Sequence, residues 1–196
     1  MRAIAPFLLS ALLAGCAATP GVATMAGAEI DPARVVDWSA SGRMAIAVEE
    51  QGGSGRFDWT QRAATTDLEV RGPLGAGALR IVTDGEALAV TDGDGESLNA
   101  AAAREQLRAR LGADLPLAEM RFWMLGLPAP GRDARVSASA SGSARAIEQS
   151  GWTVTCEAFA NVQGWAVPTR LTVDGGGARI KVIVDEWRLP PGGGAP

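Results

Sequence analysis

The sequence of 196 residues contains no histidine and no tyrosine, and it has only two cysteines. The absence of histidine excludes Ser-His and Cys-His nucleophile pairs, the usual acid–base group near neutral pH, and most zinc sites. The sequence also lacks a phosphate-binding loop, so no motif indicates work driven by a bound nucleotide. These absences favour a binding or carrier protein without metal or cofactor over an enzyme. A carboxylate pair in a cleft is the enzymatic alternative.

Positive charge is also scarce, with 18 basic against 22 acidic residues and a net charge of −4. This balance disfavours binding to nucleic acid or to anionic lipid surfaces. The N-terminal apolar run from Ile4 to Leu13 is interrupted by Pro6 and Ser10 and is too short to span a bilayer. Because Arg2 precedes it, the run is typical of a secretory signal peptide.

The run ends in Leu13-Ala14-Gly15-Cys16, which resembles the lipobox of bacterial lipoproteins. The motif predicts a signal peptide over residues 1–15, cleavage before Cys16 and attachment of diacylglycerol to its thiol. An ordinary signal peptide with a chance cysteine is the alternative. Ala17, in place of aspartate, favours the outer membrane, with the protein facing the periplasm. A lipidated Cys16 leaves Cys156 without an intramolecular partner, so we expect a buried, inert thiol there.

Composition divides the exported chain into three parts. Residues 16–33 are rich in Ala, Gly, Thr and Pro without periodicity, which predicts a lipidated flexible tether. Residues 34–190 are expected to form one domain, and residues 191–196 a disordered tail.

Alternating hydrophobic residues from Val35 onward predict short strands. Met44, Ile46 and Val48 share one face, and Gly52-Gly53 and Asp84-Gly85 are typical of turns. Two helices are predicted at 100–111 and 117–125, and further strands at 134–140, 144–149, 152–159, 169–173 and 179–187. The pattern predicts a mainly β fold of roughly ten or eleven antiparallel strands, curved or part-closed around an apolar cavity, with helices covering one mouth.

Two segments depart from these local patterns. Gly72–Gly77 predicts a tight protruding turn whose tip is Leu74 rather than a polar residue, and a purely structural loop is the simpler interpretation. Arg121–Pro128 is unusually apolar for a helix end and its exit. It fits either core packing of a lid helix or the wall of an apolar pocket.

Together with the lipobox, these segments resemble the LolB family of outer-membrane lipoproteins. The matching pieces are Ser41–Ala45, Phe57–Gln61, Gly72–Gly75, Leu115–Leu117, Trp123–Pro128, Gln149–Val154, Pro168 and Arg179–Val182. Cys156, followed by Phe159, departs from the family, which usually carries tyrosines there.

The resemblance implies an incomplete, half-open antiparallel β-barrel of about eleven strands with a helical lid. It implies a protein that accepts lipoproteins from the periplasmic carrier LolA and inserts them into the inner leaflet of the outer membrane, acting as a monomer. Pro73, Leu74 and Gly75 would form the membrane-insertion loop. The acyl-binding cavity is expected to involve Met44, Ile46, Trp59, Trp123, Leu125 and Trp152. A lipid-anchored carrier of another amphiphile and a structural envelope lipoprotein are the alternatives.

Overall fold

The computed structural model describes residues 29–31, 34–48, 51–72, 77–98, 100–111, 115–138 and 144–191. The predicted signal peptide, Cys16 and most of the predicted tether lie outside the described residues. So do Pro73, Leu74 and Gly75, and the predicted tail from residue 192 onward.

The described part of the chain forms eleven strands and two helices. The first half contains β1 (Asp37–Val48), β2 (Gln51–Arg62), β3 (Thr65–Arg71), β4 (Ala78–Thr83), β5 (Leu88–Asp92) and β6 (Ser97–Leu98). The helices α1 (Ala100–Leu111) and α2 (Leu117–Trp123) follow. The second half contains β7 (Ala134–Ala138), β8 (Arg145–Gln149), β9 (Trp152–Val162), β10 (Trp165–Gly175) and β11 (Ala178–Arg188).

All eleven strands belong to one antiparallel sheet in the order β6-β5-β4-β3-β2-β1-β11-β10-β9-β8-β7. The first and the last strand pair at its centre, and β6 and β7 are its two unpaired edges. The chain between these edges contains both helices. The fold is therefore an open, incomplete β-barrel with a helical lid, as the sequence predicts.

The central pair of strands shows how sequence pattern sets the packing. Residues of β11 alternate between buried and exposed until Asp185 and Glu186, which are both exposed. At this point the pairing with β1 shifts, between Ser41 and Gly42. A Cβ atom on Gly42 would collide with the carbonyl oxygen of Ile183, so glycine is needed for the close approach of the two strands.

Several predicted boundaries need correction. β9 continues to Val162 rather than ending at residue 159. Gly52-Gly53 was predicted as a turn, but both residues lie inside β2, which starts at Gln51. They pair with Ala47 and Ile46 of β1. β10 starts at Trp165 instead of Thr169. Pro168 has no N–H to donate to a neighbouring strand, but the register shifts beside it and the strand accommodates it.

Helix α2 ends in a Schellman motif. The N–H of Leu127 donates to the carbonyl oxygen of Phe122 at 3.0 Å, and the N–H of Gly126 donates to that of Trp123 at 2.9 Å. Gly126 has φ +74°, the left-handed conformation that glycine adopts without strain. The sequence predicted a helix that continues to Leu125, but α2 ends at Trp123, where this motif replaces the helical hydrogen bonds.

A single hydrophobic core fills the inner face of the sheet. Leu117, Met120 and Trp123 of α2 are buried in it, and Ala103 of α1 is fully buried. Each large side chain buried here stabilises the fold by about 1.5–3 kcal/mol, so the lid is held mainly by apolar contact. Neither described helix is long and apolar enough to cross a membrane.

Candidate functional site

Three tryptophans from adjacent central strands form a cluster in the core, in which Trp38 and Trp59 are stacked and Trp187 is tilted by 57° to Trp38. The ring of Trp38 on β1 lies 5.6 Å from that of Trp59 on β2 and 5.4 Å from that of Trp187 on β11. Ala40 pairs with Trp59 on one side and with Trp187 on the other, so a small side chain separates the two larger ones. Trp38, diagonal to both, covers the gap. The sequence analysis singled out Trp59 alone of these three.

A second aromatic pair joins the lid to the sheet. The rings of Trp123 on α2 and Trp152 on β9 lie 6.4 Å apart and are tilted by 45°. The indole N–H of Trp123 donates to Oε1 of Gln149 at 2.9 Å. The same oxygen accepts the N–H of Ala129 at 2.8 Å, and Nε2 of Gln149 donates to the carbonyl oxygens of Ala129 and Arg132. One buried amide therefore attaches the exit of α2 to β8.

A second buried glutamine acts in the same way on β2. Oε1 of Gln61 accepts the indole N–H of Trp59 at 3.2 Å and the hydroxyl of Thr66 at 2.7 Å. Nε2 of Gln61 donates to the carbonyl oxygen of Ala63 at 2.9 Å. The signal for both glutamines was present in the alternation, because Gln61 continues the inward face of Trp59 and Gln149 that of Ile147. A polar residue at such a position requires partners.

A half-open cleft of about 270 Å³ lies where α2 meets the start of β1 and the turn between β2 and β3. Its walls are mostly apolar, with one guanidinium at the edge. The lining residues are Val35, Val36, Trp38, Gln61, Ala63, Ala64, Arg121, Phe122 and Leu125. Of the six predicted cavity residues, only Leu125 lines this cleft.

The other predicted cavity residues lie in the core or beside it. Trp59, Trp123 and Trp152 are buried with Leu125 in one hydrophobic cluster, and the part-buried side chains of Met44 and Ile46 pack against it. Their role as the lining of an acyl-binding cavity stays a prediction.

The inner face becomes more open toward the loop that contains Leu74. Met44 pairs with Gly55 and Ile46 with Gly53, so β2 presents no side chain beside either. A Cβ atom on Gly53 would have no heavy atom within 4 Å. Gly72 donates to the carbonyl oxygen of Gly77 at 3.1 Å and closes the base of the loop at this same end of the strands. The cleft lies at the opposite end of β3. The seven residues of this strand separate it from the base of the loop by roughly 23 Å, at about 3.4 Å per residue.

The segment before β1 packs against the lid. Ile30 is buried in the core, and the carboxylate of Glu29 lies 3.0 Å from the guanidinium of Arg145. Arg145 also donates to the carbonyl oxygen of Gly126 at 3.1 Å. One arginine thus connects the end of α2 with Glu29, which lies within the predicted tether of residues 16–33.

The described titratable groups with a shifted pKa lie in the core or at the surface. Burial raises the pKa of the Cys156 thiol to about 12, so this side chain is a neutral part of the core. The hydrogen bond from Arg80 lowers the pKa of Asp67, and the backbone N–H groups of Ala87 and Glu86 lower that of Asp84. Both are surface contacts away from the cleft.

Comparisons with known proteins agree with this architecture. A family model described as outer membrane lipoprotein LolB matches residues 36–187. Proteins named outer-membrane lipoprotein LolB from Stutzerimonas stutzeri and Halorhodospira halophila are 31% and 32% identical to the chain. The first match covers 92% of each chain, and the second covers 95% of this chain and 94% of the relative. A crystal structure of a LolA superfamily protein from Nitrosomonas europaea shares the fold, with a TM-score of 0.50 at 12% identity, over 79% of this chain and 86% of the other.

Proposed function

The chain belongs to the LolB family of outer-membrane lipoproteins, and from this membership we propose that it accepts lipoproteins from a LolA-like periplasmic carrier and inserts them into the inner leaflet of the outer membrane. The observation that supports the proposal best is the tryptophan-rich inner face of an open sheet, covered by a lid that no strand pairing holds.

The lid is built so that it can separate from the sheet without breaking the ladder. Its polar attachments among the described residues are side-chain hydrogen bonds. Trp123 donates to Gln149, Arg121 donates to the carbonyl oxygen of Ala63, and Arg145 donates to that of Gly126. Separation would open the space between Trp59, Trp123 and Trp152 to an acyl chain. We propose that the closed, packed core is the empty state, and that acyl chains replace lid contacts when they bind.

The energetics of acyl transfer explain why such a protein is needed. Exposing one chain of about sixteen carbons to water costs on the order of 12 kcal/mol, at roughly 0.8 kcal/mol per methylene. A lipoprotein with several chains therefore needs an apolar surface throughout its path. With no nucleotide motif in the sequence, the transfer must run downhill in free energy. This protein should then hold acyl chains more tightly than the carrier does, and the bilayer more tightly still.

The loop tip and the lipid have separate tasks in this scheme. Burial of Leu74 in a bilayer contributes only about 1.5–3 kcal/mol, which positions the loop but does not anchor the protein. Anchoring would be the task of a diacylglyceryl group on Cys16. The family implies both roles, and both residues lie outside the described part of the chain.

A carrier role fits the chemistry of the inner face better than an enzymatic one. The buried polar residues of the described part all have hydrogen-bond partners that fix structure, and none is a nucleophile beside a base; they are Gln61, Thr66, Thr83 and Gln149. We propose that the protein acts as a monomer by binding and release alone.

A transfer assay tests the function directly. A complex of the carrier with a radiolabelled lipoprotein is mixed with outer-membrane vesicles that either contain or lack this protein. We expect label to enter the vesicles only when the protein is present. Equal incorporation without the protein, or retention of the label on the carrier in its presence, would contradict the proposal. A carrier of another amphiphile would bind acyl probes but leave the lipoprotein on the carrier.

A further inference from the structure

Arg121 is a cation at the edge of an apolar cleft, and no carboxylate among the described residues pairs with it. Its Nη1 donates to the carbonyl oxygen of Ala63 at 3.1 Å, and its Cζ atom lies 4.7 Å from the centre of the Phe122 ring. Nε is buried and has no hydrogen-bond partner. One N–H of the guanidinium is thus shielded from solvent, and no described group accepts it.

An unpaired, buried N–H is costly, and native structures rarely keep one without a purpose. In the closed protein, the contacts with Ala63 and Phe122 hold the guanidinium from two sides, and Nε has no room for a partner. When α2 moves away from Ala63, Nε becomes accessible from the cleft, and a ligand oxygen there would satisfy it. The apolar wall supplied by Val35, Trp38 and Leu125 would at the same time contact a hydrocarbon chain attached to that oxygen.

We propose that Nε–H of Arg121 donates to a carbonyl oxygen of the ester that joins an acyl chain to the substrate lipoprotein, so that the cleft receives the head of the lipid and orients it. This inference rests on the proposed function and assigns its polar recognition to one side chain. The first methylenes of the chain would lie against Val35, Trp38 and Leu125. The rest would enter the core when the lid moves.

The cleft is too small to be the whole lipid site, and this agrees with a role for its entrance. Its volume of about 270 Å³ is below the range of roughly 300–1,000 Å³ typical of complete ligand sites. It adjoins the stacked rings of Trp38 and Trp59, which lead from the cleft into the core. A hydrogen-bond donor at such an entrance selects lipids that carry a carbonyl group at their head.

The test compares two ligands that differ only at this group. The first is a short peptide whose N-terminal cysteine carries two palmitoyl chains in ester linkage through glycerol. The second is the same peptide with ether-linked hexadecyl chains, which lack the carbonyl oxygens. Quenching of tryptophan fluorescence gives both dissociation constants. We expect the wild-type protein to bind the ester about tenfold more tightly than the ether, the effect of one hydrogen bond to a charged donor.

The Arg121→Met variant should bind both peptides with the wild-type affinity for the ether. Arg121→Lys keeps the charge but has no N–H at the position of Nε, and it should also lose discrimination. Arg43→Met is the matched control, because Arg43 is exposed on β1 and pairs with Asp185 outside the cleft. This variant should retain the wild-type preference. Thermal unfolding of each variant establishes that it is folded.

Equal binding of ester and ether by the wild-type protein would overturn the inference. So would an equal loss for both peptides in folded Arg121→Met, which would mean that the side chain only shapes the cleft. Free palmitate is measured as a third ligand, because its carboxylate could also accept the hydrogen bond. Tighter binding of palmitate than of the ester peptide by the wild-type protein would also contradict the inference. Transfer of a lipoprotein from the carrier to membranes is measured in parallel. If the wild-type protein transfers the lipoprotein normally but binds ester and ether equally, only the role of Arg121 is rejected. If the wild-type protein fails to transfer it, the proposed function is rejected.

Discussion

The side-chain oxygen of Gln149 accepts the indole N–H of Trp123 at 2.9 Å, and this bond joins β8 to the end of the lid helix. The amide also pairs with both backbone groups of Ala129. Because every polar atom of this buried side chain is paired, Gln149 fixes one position of α2 and of the chain that leaves it.

Replacement of Gln149 by leucine should therefore destabilise the protein and loosen its lid. The substitution leaves the N–H of Trp123 and the backbone groups of Ala129 unpaired in the core, which costs about 3 kcal/mol in the free energy of unfolding. Urea denaturation followed by tryptophan fluorescence measures the change. Glu148→Gln, at an exposed neighbour on the same strand, should alter stability by less than about 1 kcal/mol. Comparable losses for both variants would show that Gln149 has no special role.

Leu74→Glu should separate acyl binding from membrane insertion. A carboxylate at the loop tip does not enter a bilayer readily, whereas the inner face of the sheet is unchanged. We expect unfolding free energy within about 0.5 kcal/mol of wild type, normal acyl binding, and loss of lipoprotein incorporation from the carrier. Leu74→Met, which keeps an apolar tip, is the control and should incorporate lipoproteins normally. Normal incorporation by Leu74→Glu would remove the insertion role of this residue.

Gly53→Leu should fill the open part of the inner face. Gly53 pairs with Ile46, so a side chain placed there projects toward the same face, into space that is free of heavy atoms within 4 Å. If that space receives acyl chain, binding should weaken on the order of tenfold, the equivalent of about 1.4 kcal/mol. Ser54→Leu places the same side chain on the opposite face of β2 and should bind normally. Unchanged binding by a folded Gly53→Leu variant would place the acyl chains elsewhere.

Alkaline pH should reveal the buried thiol. The pKa of Cys156 is about 12 in the folded protein, against about 8.5 for a thiol in an unfolded chain. Between these values the unfolded state loses the proton while the folded state keeps it. Stability should therefore be complete below about pH 8.5 and fall by up to about 1.4 kcal/mol per pH unit above it.

Urea unfolding at several alkaline pH values tests this slope, with Cys156→Ala as the reference. The chain has no tyrosine and a single lysine, so few other side chains titrate in the same range. The two proteins should show different slopes above pH 8.5. Identical slopes would mean that Cys156 ionises in the folded protein. Thiol reagents should also react with Cys156 only after unfolding.

Cys16→Ala should retain acyl binding because Cys16 precedes, in the sequence, every residue that forms the cleft and the core. Without a site for lipid, the protein should partition into the soluble fraction and should no longer restrict delivery to one membrane. Fractionation of cells and a transfer assay offering inner- and outer-membrane vesicles together measure both effects. Continued membrane association of the variant would show that lipid on Cys16 is not its anchor.

Alternation and turn residues were sufficient to predict the sheet, because inward residues such as Trp59, Ile147 and Val154 recur with the period of a strand. These signals failed at Pro168 and at Gly52-Gly53, where pairing with neighbouring strands overrides the local preference of the residue. A single sequence does not indicate which strands are neighbours in the sheet.

The aromatic core was predicted in part. Trp123 and Trp152 belonged to segments that resemble a known family, whereas Trp38 and Trp187 become partners only because the first and the last strand are adjacent. Arg121 could not be singled out from its sequence context, since an arginine in the last turn of a helix is ordinary. Its unpaired Nε emerges only from the packing of α2 beside Ala63.

The pairing of β1 with β11 also has a consequence for how the protein folds. Its ten residue pairs join positions 130 to 149 residues apart, from Val48 and Ala178 to Ser39 and Arg188. Contacts between residues so far apart in the sequence form slowly, and the middle of the sheet cannot be completed until β11 has been synthesised. A chain predicted to cross a membrane from its N-terminus is thereby kept from folding too early, so that its topology preserves the unfolded state that secretion requires.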